Sequence, residues 1–338
     1  MLSRARPEVS PVAAEEAAVL LRPLEGRRPL LAVSGGPDSL ALLVLAARSG
    51  IRPLFVATVD HGLRPESAEE AARIAVLAEA FGLPHAVLRW TGPKPAAGLQ
   101  EAAREARFAL LAAHARDVGA DCIVAAHHRD DQAETVLMRI AAGSGVSGLA
   151  AMRPVSLHGE IPVLRPFLSL PKARLVATCR AAGLAFVDDP SNRDPRHARA
   201  RWREARDVLA AEGLDDVRLA RLALRAARAD EALERATDDA ARRLLSARDG
   251  VFRLASGIFD EPVEILLRCL ARAIGRAAPG RSLRLERLET AVVALRAARA
   301  AGAPCGRTLA GATVRLDRSG EVLVMPEKDP RRGSEKAV

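Results

Sequence analysis

Two stretches of this 338-residue chain carry residue types and spacings suited to chemistry, and a third is suited to gripping a polyanion. The first is SGGPDS (34–39), set between the apolar run PLLAV (29–33) and LALLVLAA (40–47). A strand, a glycine turn and a helix N-terminus in succession make an anion site. Gly35 and Gly36 let the backbone approach closely, successive N–H groups converge, and the helix dipole favours negative charge. Ser34 and Ser39 add hydroxyl donors. The loop has neither the Lys of a Walker A sequence nor GxGxxG spacing. Asp38 is a poor neighbour for phosphate unless Mg²⁺ lies between them; the alternative is N-terminal capping of helix 39–48.

The second stretch is HHRDDQAETVLMR (127–139), which leaves an apolar run at a place where α/β active sites lie. His127, His128, Asp130 and Asp131 are too close in sequence for all four to face one ion, so a metal bound by these alone is the weaker reading. Asp131 and Glu134 are spaced i, i+3 on the first turn of a helix over 131–142 and share a face. Two carboxylates there could receive an ammonium group, or one could hold Mg²⁺. The alternative is complementation of the helix dipole, worth roughly 0.3–1 kcal/mol each. The third stretch runs from Arg193 to Arg206 and holds six arginines against Asp194 and Glu204. Arg199 and Arg203 are i, i+4 and project together, a density that fits phosphate contact.

These residues need elements to hold them. PLLAV, PLFVATVD (53–60), HAVLRW (85–90) and DCIVAA (121–126) read as buried parallel strands. Residues 39–50, 65–82, 99–117 and 132–143 read as the intervening helices, with Pro and acids opening 65–82 and Gly closing several. The alternation predicts an α/β fold, a Rossmann-like parallel sheet with helices on both faces. Asp60 and His61 then end the second strand, beside the first. After about residue 150 the strand signal thins. A turn and helix follow over 165–183, then a turn-rich loop over 186–195. An almost wholly helical stretch runs over 196–246, with a break at EGLDD (212–216). Helices over 261–276 and 283–301 lead to strands RTLAGATVRL (307–316) and GEVLVMP (320–326), a terminal β-hairpin turning at DRSG. This predicts a catalytic domain over 1–212, a smaller, mostly helical basic domain over 213–330, and a polar, disordered tail over 331–338.

Composition bounds the rest. Hydrophobic residues at 49% and charged residues at 28% describe a soluble globular chain with enough apolar material for a sizeable core. The longest apolar run, residues 40–47, is far short of the roughly 18 residues a membrane span needs. No charged-then-apolar signal segment opens the sequence, and its basic start reads as a frayed tail. Four dispersed cysteines, never CxxC, give no disulfide framework or zinc knuckle, and a reduced cytoplasmic setting is expected. Residues 1–169 balance 18 basic against 18 acidic side chains, whereas 170–338 hold 33 against 24, so the whole net charge of +9 sits in the second half. That split suggests a polyanion partner for the C-terminal part.

SGGPDS matches the pyrophosphatase loop of the N-type ATP pyrophosphatases. With VDHGLRPES (59–67), AHHRDDQAETVLMRIAAGSGVSGLAAM (126–152) and DDPSNRDPRHARARWR (188–203) it closely resembles, in collinear order over about 28–210, the tRNA(Ile)-lysidine synthase family. The resemblance implies an adenine nucleotide alpha hydrolase-like domain that uses ATP and Mg²⁺. ATP would adenylate the C2 oxygen of the wobble cytidine in a CAU-anticodon tRNA(Ile), and free L-lysine would displace AMP to leave lysidine. Ser34, Gly35, Gly36, Pro37, Asp38 and Ser39 would bind the nucleotide. Asp60 and His61 would lie near it, although a strand-end turn accounts for that pair equally. Asp38, His128, Asp131 and Glu134 are the candidate catalytic residues, and Asp38 and Asp131 the candidate metal ligands. The attacking lysine must lose a proton, and a nearby carboxylate or histidine is the base. Arg104, Arg107, Asn192, Arg199 and Arg203 would contact the tRNA. For Arg104 and Arg107, salt bridging with Glu101 and Glu105 is the alternative. This chain has Arg199-Ala200 where the family usually has Arg-Asn, so any role of that Asn is absent or moved. Trp202 could stack on a base, but a helix Trp more often packs in a core. A homodimer is compatible with the sequence, which carries no signal for oligomeric state. A tRNA 2-thiolase would use CxxC pairs that are missing here, and a nonenzymatic tRNA-binding protein would not need intact SGGPDS and HHRDDQ.

Overall fold

The computed structural model describes residues 9–62, 67–95, 98–186 and 198–327. They form two units. One runs through Gly143 and takes in Gly148–Arg225; the other comprises Ser144–Ser147 and the chain from Ala226 onward. The helix break expected over 212–216 is present and lies within the first unit.

In chain order the elements are α1 (Ala14–Leu21), β1 (Pro29–Ala32), α2 (Pro37–Arg48), β2 (Phe55–Asp60), α3 (Ser67–Ala80), β3 (His85–Arg89), α4 (Leu99–Asp117), β4 (Cys122–Val124), α5 (Arg129–Ala141), α6 (Val146–Leu149), β5 (Val155–His158), β6 (Ile161–Leu164), α7 (Lys172–Ala181), α8 (Ala198–Glu204), α9 (Arg206–Ala211) and α10 (Asp216–Leu244). Six strands make one sheet in the order β3-β2-β1-β4-β6-β5. All neighbours are parallel except β5 and β6. The strands are apolar on both faces because both faces are covered. Leu31, Cys122 and Val124 face a core that includes residues of α1, α2 and α7, while Leu30, Ile123 and Val163 face α4 through Phe108, Leu111 and Ala115. Helix α2 is buried continuously from Ser39 to Ala47, which explains a sequence apolar all round instead of on one stripe.

The expected α/β architecture is present, with two strands more than the sequence suggested. β5 and β6 are four residues each, and β6 carries Pro162; strands this short give little periodicity to read.

The second unit holds β7 (Leu245–Arg248), β8 (Val251–Leu254), α11 (Val263–Ala277), α12 (Leu285–Ala300), β9 (Cys305–Leu309), β10 (Ala312–Leu316) and β11 (Val322–Pro326). Its sheet is antiparallel in the order β7-β8-β11-β10-β9. α11 buries Ile265, Leu266, Leu270 and Ile274 in a core shared with Val314, Val322 and Val324 of the sheet. The expected terminal hairpin is β10–β11, and it belongs to this larger sheet. Residues 307–316 form parts of two strands, not one, because Ala310 and Gly311 turn the chain at φ 47° and 76°. Asp249 and Gly250 do the same at 52° and 74° between β7 and β8, the backbone of a two-residue hairpin turn. No helix among the described residues is long and apolar enough to cross a membrane.

Candidate active site

Strand order reverses at β1: β2 and β3 lie on one side, β4 and β6 on the other. The crevice beyond the carboxyl ends of β1 and β4 is where a parallel sheet of this kind opens to a ligand. SGGPDS leaves β1 and the HHRDD segment follows β4, so two segments about ninety residues apart meet there. Asp38 Oδ2 lies 3.4 Å from His128 Nε2.

The loop's shape comes from its own residues. Gly35 adopts φ +82°, a left-handed conformation that favours glycine. Gly36 stands as the N-cap of α2 and Pro37 follows in its first turn. Ser39 is buried; its hydroxyl accepts from the Ser34 N–H at 3.1 Å and donates to the Gly36 carbonyl at 3.0 Å. Ser39 therefore folds the loop from within, while Ser34 is exposed at its mouth. From α7, the Cys179 thiol donates to the Pro37 carbonyl at 3.0 Å. Burial pushes that thiol up to about 11, so it remains an S–H donor at neutral pH.

Asp38 does not cap α2. Its Oδ1 is buried without a hydrogen-bond partner among the described residues, and Lys172 Nζ stands 3.7 Å from Oδ2. An orphaned carboxylate oxygen is costly unless something positive meets it. His128 is the N-cap of α5. Its Nδ1 accepts from the Asp131 N–H at 3.3 Å, and Asp131 Oδ2 accepts from the His128 N–H at 3.1 Å, a reciprocal capping box. With Nδ1 accepting, Nε2 presents toward Asp38 and toward Asp131 Oδ2, 3.5 Å away. Burial opposes charge on this imidazole, but Asp38, Asp131 and Asp130 outweigh it and raise its pKa above the ordinary value.

Glu134 shares this helix face and is buried, with both oxygens taken. Arg203 on α8 donates from Nε at 2.5 Å to Oε1 and from Nη2 at 3.1 Å to Oε2. A candidate catalytic residue and a candidate tRNA contact thus form one bidentate pair. Asp130, weighed in the sequence only as part of the His-Asp cluster, is buried. Its oxygens accept from Lys172 N at 3.0 Å and Arg206 Nη2 at 2.6 Å, fastening the start of α7 to α5. Trp202 is half-buried against Ala133, Val136, Leu137 and Leu219, so its ring is core.

Asp60 and His61 end β2 as expected. Asp60 Oδ1 accepts from Ser67 Oγ at 2.7 Å and Gly62 N at 2.8 Å, and these bonds hold its pKa below the ordinary value. That organises the turn. His61 stands edge-on to Trp90 with ring centroids 6.1 Å apart. Burial, reinforced by the nearby Arg107 cation, lowers it to about 4. We expect an NMR titration of His61 to show a midpoint near 4. Folding then favours its neutral form, so the associated stability is present above pH 6.5 and is lost as pH falls toward 4. A midpoint near 6.5 would place this ring in solvent. Arg107 is exposed on α4, and Arg104 stacks its guanidinium 5.5 Å from the Phe108 ring. Asn192 and the rest of DPSN lie outside the described residues, as does the Arg199 side chain.

A PP-loop domain family matches residues 9–208. The tRNA(Ile)-lysidine synthase of Methylobacterium sp. (strain 4-46) is 52% identical over 91% of this chain and 91% of its own. That of Methylobacterium nodulans is 53% identical over 90% of this chain and 91% of its own. The chain belongs to the tRNA(Ile)-lysidine synthase family. Among solved structures, the U34-tRNA thiolase NcsA from Methanococcus maripaludis with its 4Fe-4S cluster aligns with a TM-score of 0.51 at 19% identity, over 62% of this chain and 78% of that one. At that identity the likeness is one of fold.

In this member of the tRNA(Ile)-lysidine synthase family, Lys172 and Cys179 come to the site only through folding and are not among the residues the sequence points to. For Lys172 a signal existed: it is one of four lysines in a chain whose other 47 basic residues are arginine.

Proposed function

We propose that this chain ligates L-lysine to C2 of the wobble cytidine in CAU-anticodon tRNA(Ile), splitting ATP to AMP and pyrophosphate through an adenylated cytidine. The observation that carries the reading is the meeting of Asp38 with His128 and Asp131 beside a glycine loop at the sheet's switch point. In this mechanism the cytidine C2 oxygen takes the α-phosphoryl group and pyrophosphate departs. The backbone N–H groups of Gly35, Gly36, Asp38 and Ser39, at the N-terminus of α2, hold the departing anion without reorganising. Lysine's ε-amino group, having lost a proton, then forms the C–N bond at C2 as the oxygen leaves with AMP.

Mg²⁺ fits the residues present. No cluster of three or more His, Cys, Asp or Glu among the described residues forms a metal cage. Mg²⁺ commonly takes only one or two protein carboxylates and fills its shell with phosphate and water. Asp38, with its unpartnered Oδ1, and Asp131 would hold it, and it would neutralise phosphate charge beside these acids. With both Glu134 oxygens held by Arg203, Asp131 has the freer carboxylate of the two for the metal. Glu134 then shapes the lysine pocket through Arg203. Asp60 and His61 border the nucleotide side, His61 as a neutral ring. Arg104, Arg107, Asn192, Arg199 and Arg203 serve the tRNA. Sulfur transfer is disfavoured: the four cysteines are dispersed, and three of them are buried.

The test is incubation with ATP, Mg²⁺, labelled lysine and a CAU-anticodon tRNA transcript. Label should enter the RNA only when ATP is present, with AMP formed in equal amount. Folded protein that binds this tRNA but incorporates no label would refute the reading.

A further inference from the structure

Arg165, directly after β6, is a buried cation with no anionic partner among the described residues. It is only 7% exposed. Its Nη1 donates to the Arg153 carbonyl at 3.0 Å, to Ser156 Oγ at 2.9 Å and, at the limit of 3.5 Å, to the Val163 carbonyl. All three acceptors are neutral, and Nε is buried without a partner. Elsewhere in the fold, inward-facing arginines meet acids: Arg203 meets Glu134, and Arg268 meets Asp230, Glu234 and Glu264. Burial, together with the neighbouring charge of Arg104, pulls the Arg165 guanidinium down to about 10. Two cations with no carboxylate paired to the buried one form a costly arrangement that an incoming anion relieves.

The surroundings are built to admit one. On the sheet face that carries α4, an open groove of about 330 Å³ runs between that helix and the β5–β6 edge. Arg104, Phe108, Ser156, His158 and Arg165 line it, with Glu101 and Glu105 along its α4 side. Phe108 separates two polar groups, with the Arg104 guanidinium 5.5 Å from its ring and the His158 ring 5.5 Å away at 38°. The charged and hydrogen-bonding ends therefore stand around the groove with an apolar floor between them. β6 runs parallel to β4, so Arg165 lies at the sheet's carboxyl edge, the edge that carries the candidate active site.

We propose that Arg165, with Arg104, Ser156 and His158, forms a subsite for one backbone phosphate of the RNA substrate. The identity of the ligand as RNA rests on the lysidine reading; the anion chemistry does not. The planar guanidinium has donors to spare for a phosphodiester's two free oxygens, and Ser156 and His158 add further donors at the rim.

The test uses the full chain and tRNA binding by fluorescence anisotropy, across about 50 to 300 mM salt. His158→Glu places a carboxylate in the groove while leaving the buried guanidinium in its core. Losing one phosphate contact should make the log–log salt slope shallower by about 1 and lower affinity about eightfold at 0.1 M salt. ATP affinity and melting temperature should hold. Arg165→Lys, which keeps the charge but not the fork, should give a smaller loss of affinity. Unchanged slope and affinity in both variants would overturn the proposal. So would a melting-temperature gain from millimolar inorganic phosphate that His158→Glu abolishes while tRNA binding is untouched; that result assigns the groove to a free anion. Failure of lysine incorporation with the slope change intact would refute the proposed reaction and leave the subsite standing. Normal incorporation with an unchanged slope would refute the subsite alone.

Discussion

Asp38→Asn is expected to lower lysine incorporation into tRNA by at least about a hundredfold, the scale seen when a preorganised charge is removed from a reacting centre. Affinity for tRNA should stay within about twofold, because a single carboxylate at the sheet's switch point offers nothing to an RNA backbone. Asparagine keeps the shape of the loop, and Ser39, Gly36 and Pro37 retain their contacts, since none of these runs through the Asp38 carboxylate. What is lost is the negative charge that Lys172 and His128 face, and with it the orphaned Oδ1 suited to a divalent ion. Single-turnover AMP formation and anisotropy measured on one preparation separate the two quantities. Near-normal turnover would remove Asp38 from the chemistry, and a parallel loss of tRNA binding would make it a structural residue.

Arg203→Met should destabilise the protein by about 3 kcal/mol, within the range for breaking a buried pair. Glu134 is 7% exposed and both of its oxygens accept from this guanidinium, so methionine leaves a buried carboxylate without its main partner. The double variant Glu134→Gln, Arg203→Met should recover more than half of the loss, because no charge is then stranded. Urea denaturation of the two single variants and the double variant closes this cycle. The same proteins test the tRNA contact. If Arg203 acts through Glu134, the salt slope changes by much less than 1 in Arg203→Met, whereas Arg199→Ala removes about one unit. A full unit lost in a stable Arg203→Met protein would instead make Arg203 a phosphate ligand.

The Arg203–Glu134 pair shows why the site was only partly legible. Spacing on a helix correctly placed Asp131 and Glu134 on one face of α5, since i, i+3 geometry is local. Arg203 lies on α8, as the helical reading of that stretch expects. Spacing could not show that the two helices meet, because that depends on how α8 packs on α5 through Trp202 and the Val136–Leu219 cluster. Within the arginine-dense run, the Arg203 guanidinium bonds an internal carboxylate, Glu134. Asp130 and Arg206 repeat the lesson. The sequence of the loop offers the Ser39 hydroxyl as a donor to a bound anion. The fold turns it inward, since the loop's own backbone groups need satisfying first.

Short strands failed for a different reason. β5, β6, β7 and β8 are each four residues, too few for a period of two to stand out. Asp249-Gly250 is a usable hairpin signal in the stretch between the helices expected over 196–246 and 261–276.

The sequence by itself determined the alternating α/β order, the glycine loop, the collinear motifs and the split of charge between the two halves. Each of these is carried by neighbours along the chain: period, caps, turn residues and composition. Tertiary structure alone decided which charges face each other. It brought Asp38 to His128, gave Glu134 to Arg203, set Lys172 beside the loop, and left Arg165 buried with no anionic partner among the described residues. Those pairings depend on sheet order and helix packing, where residues tens of positions apart become adjacent, and an ion pair exists only at a separation that no local pattern encodes.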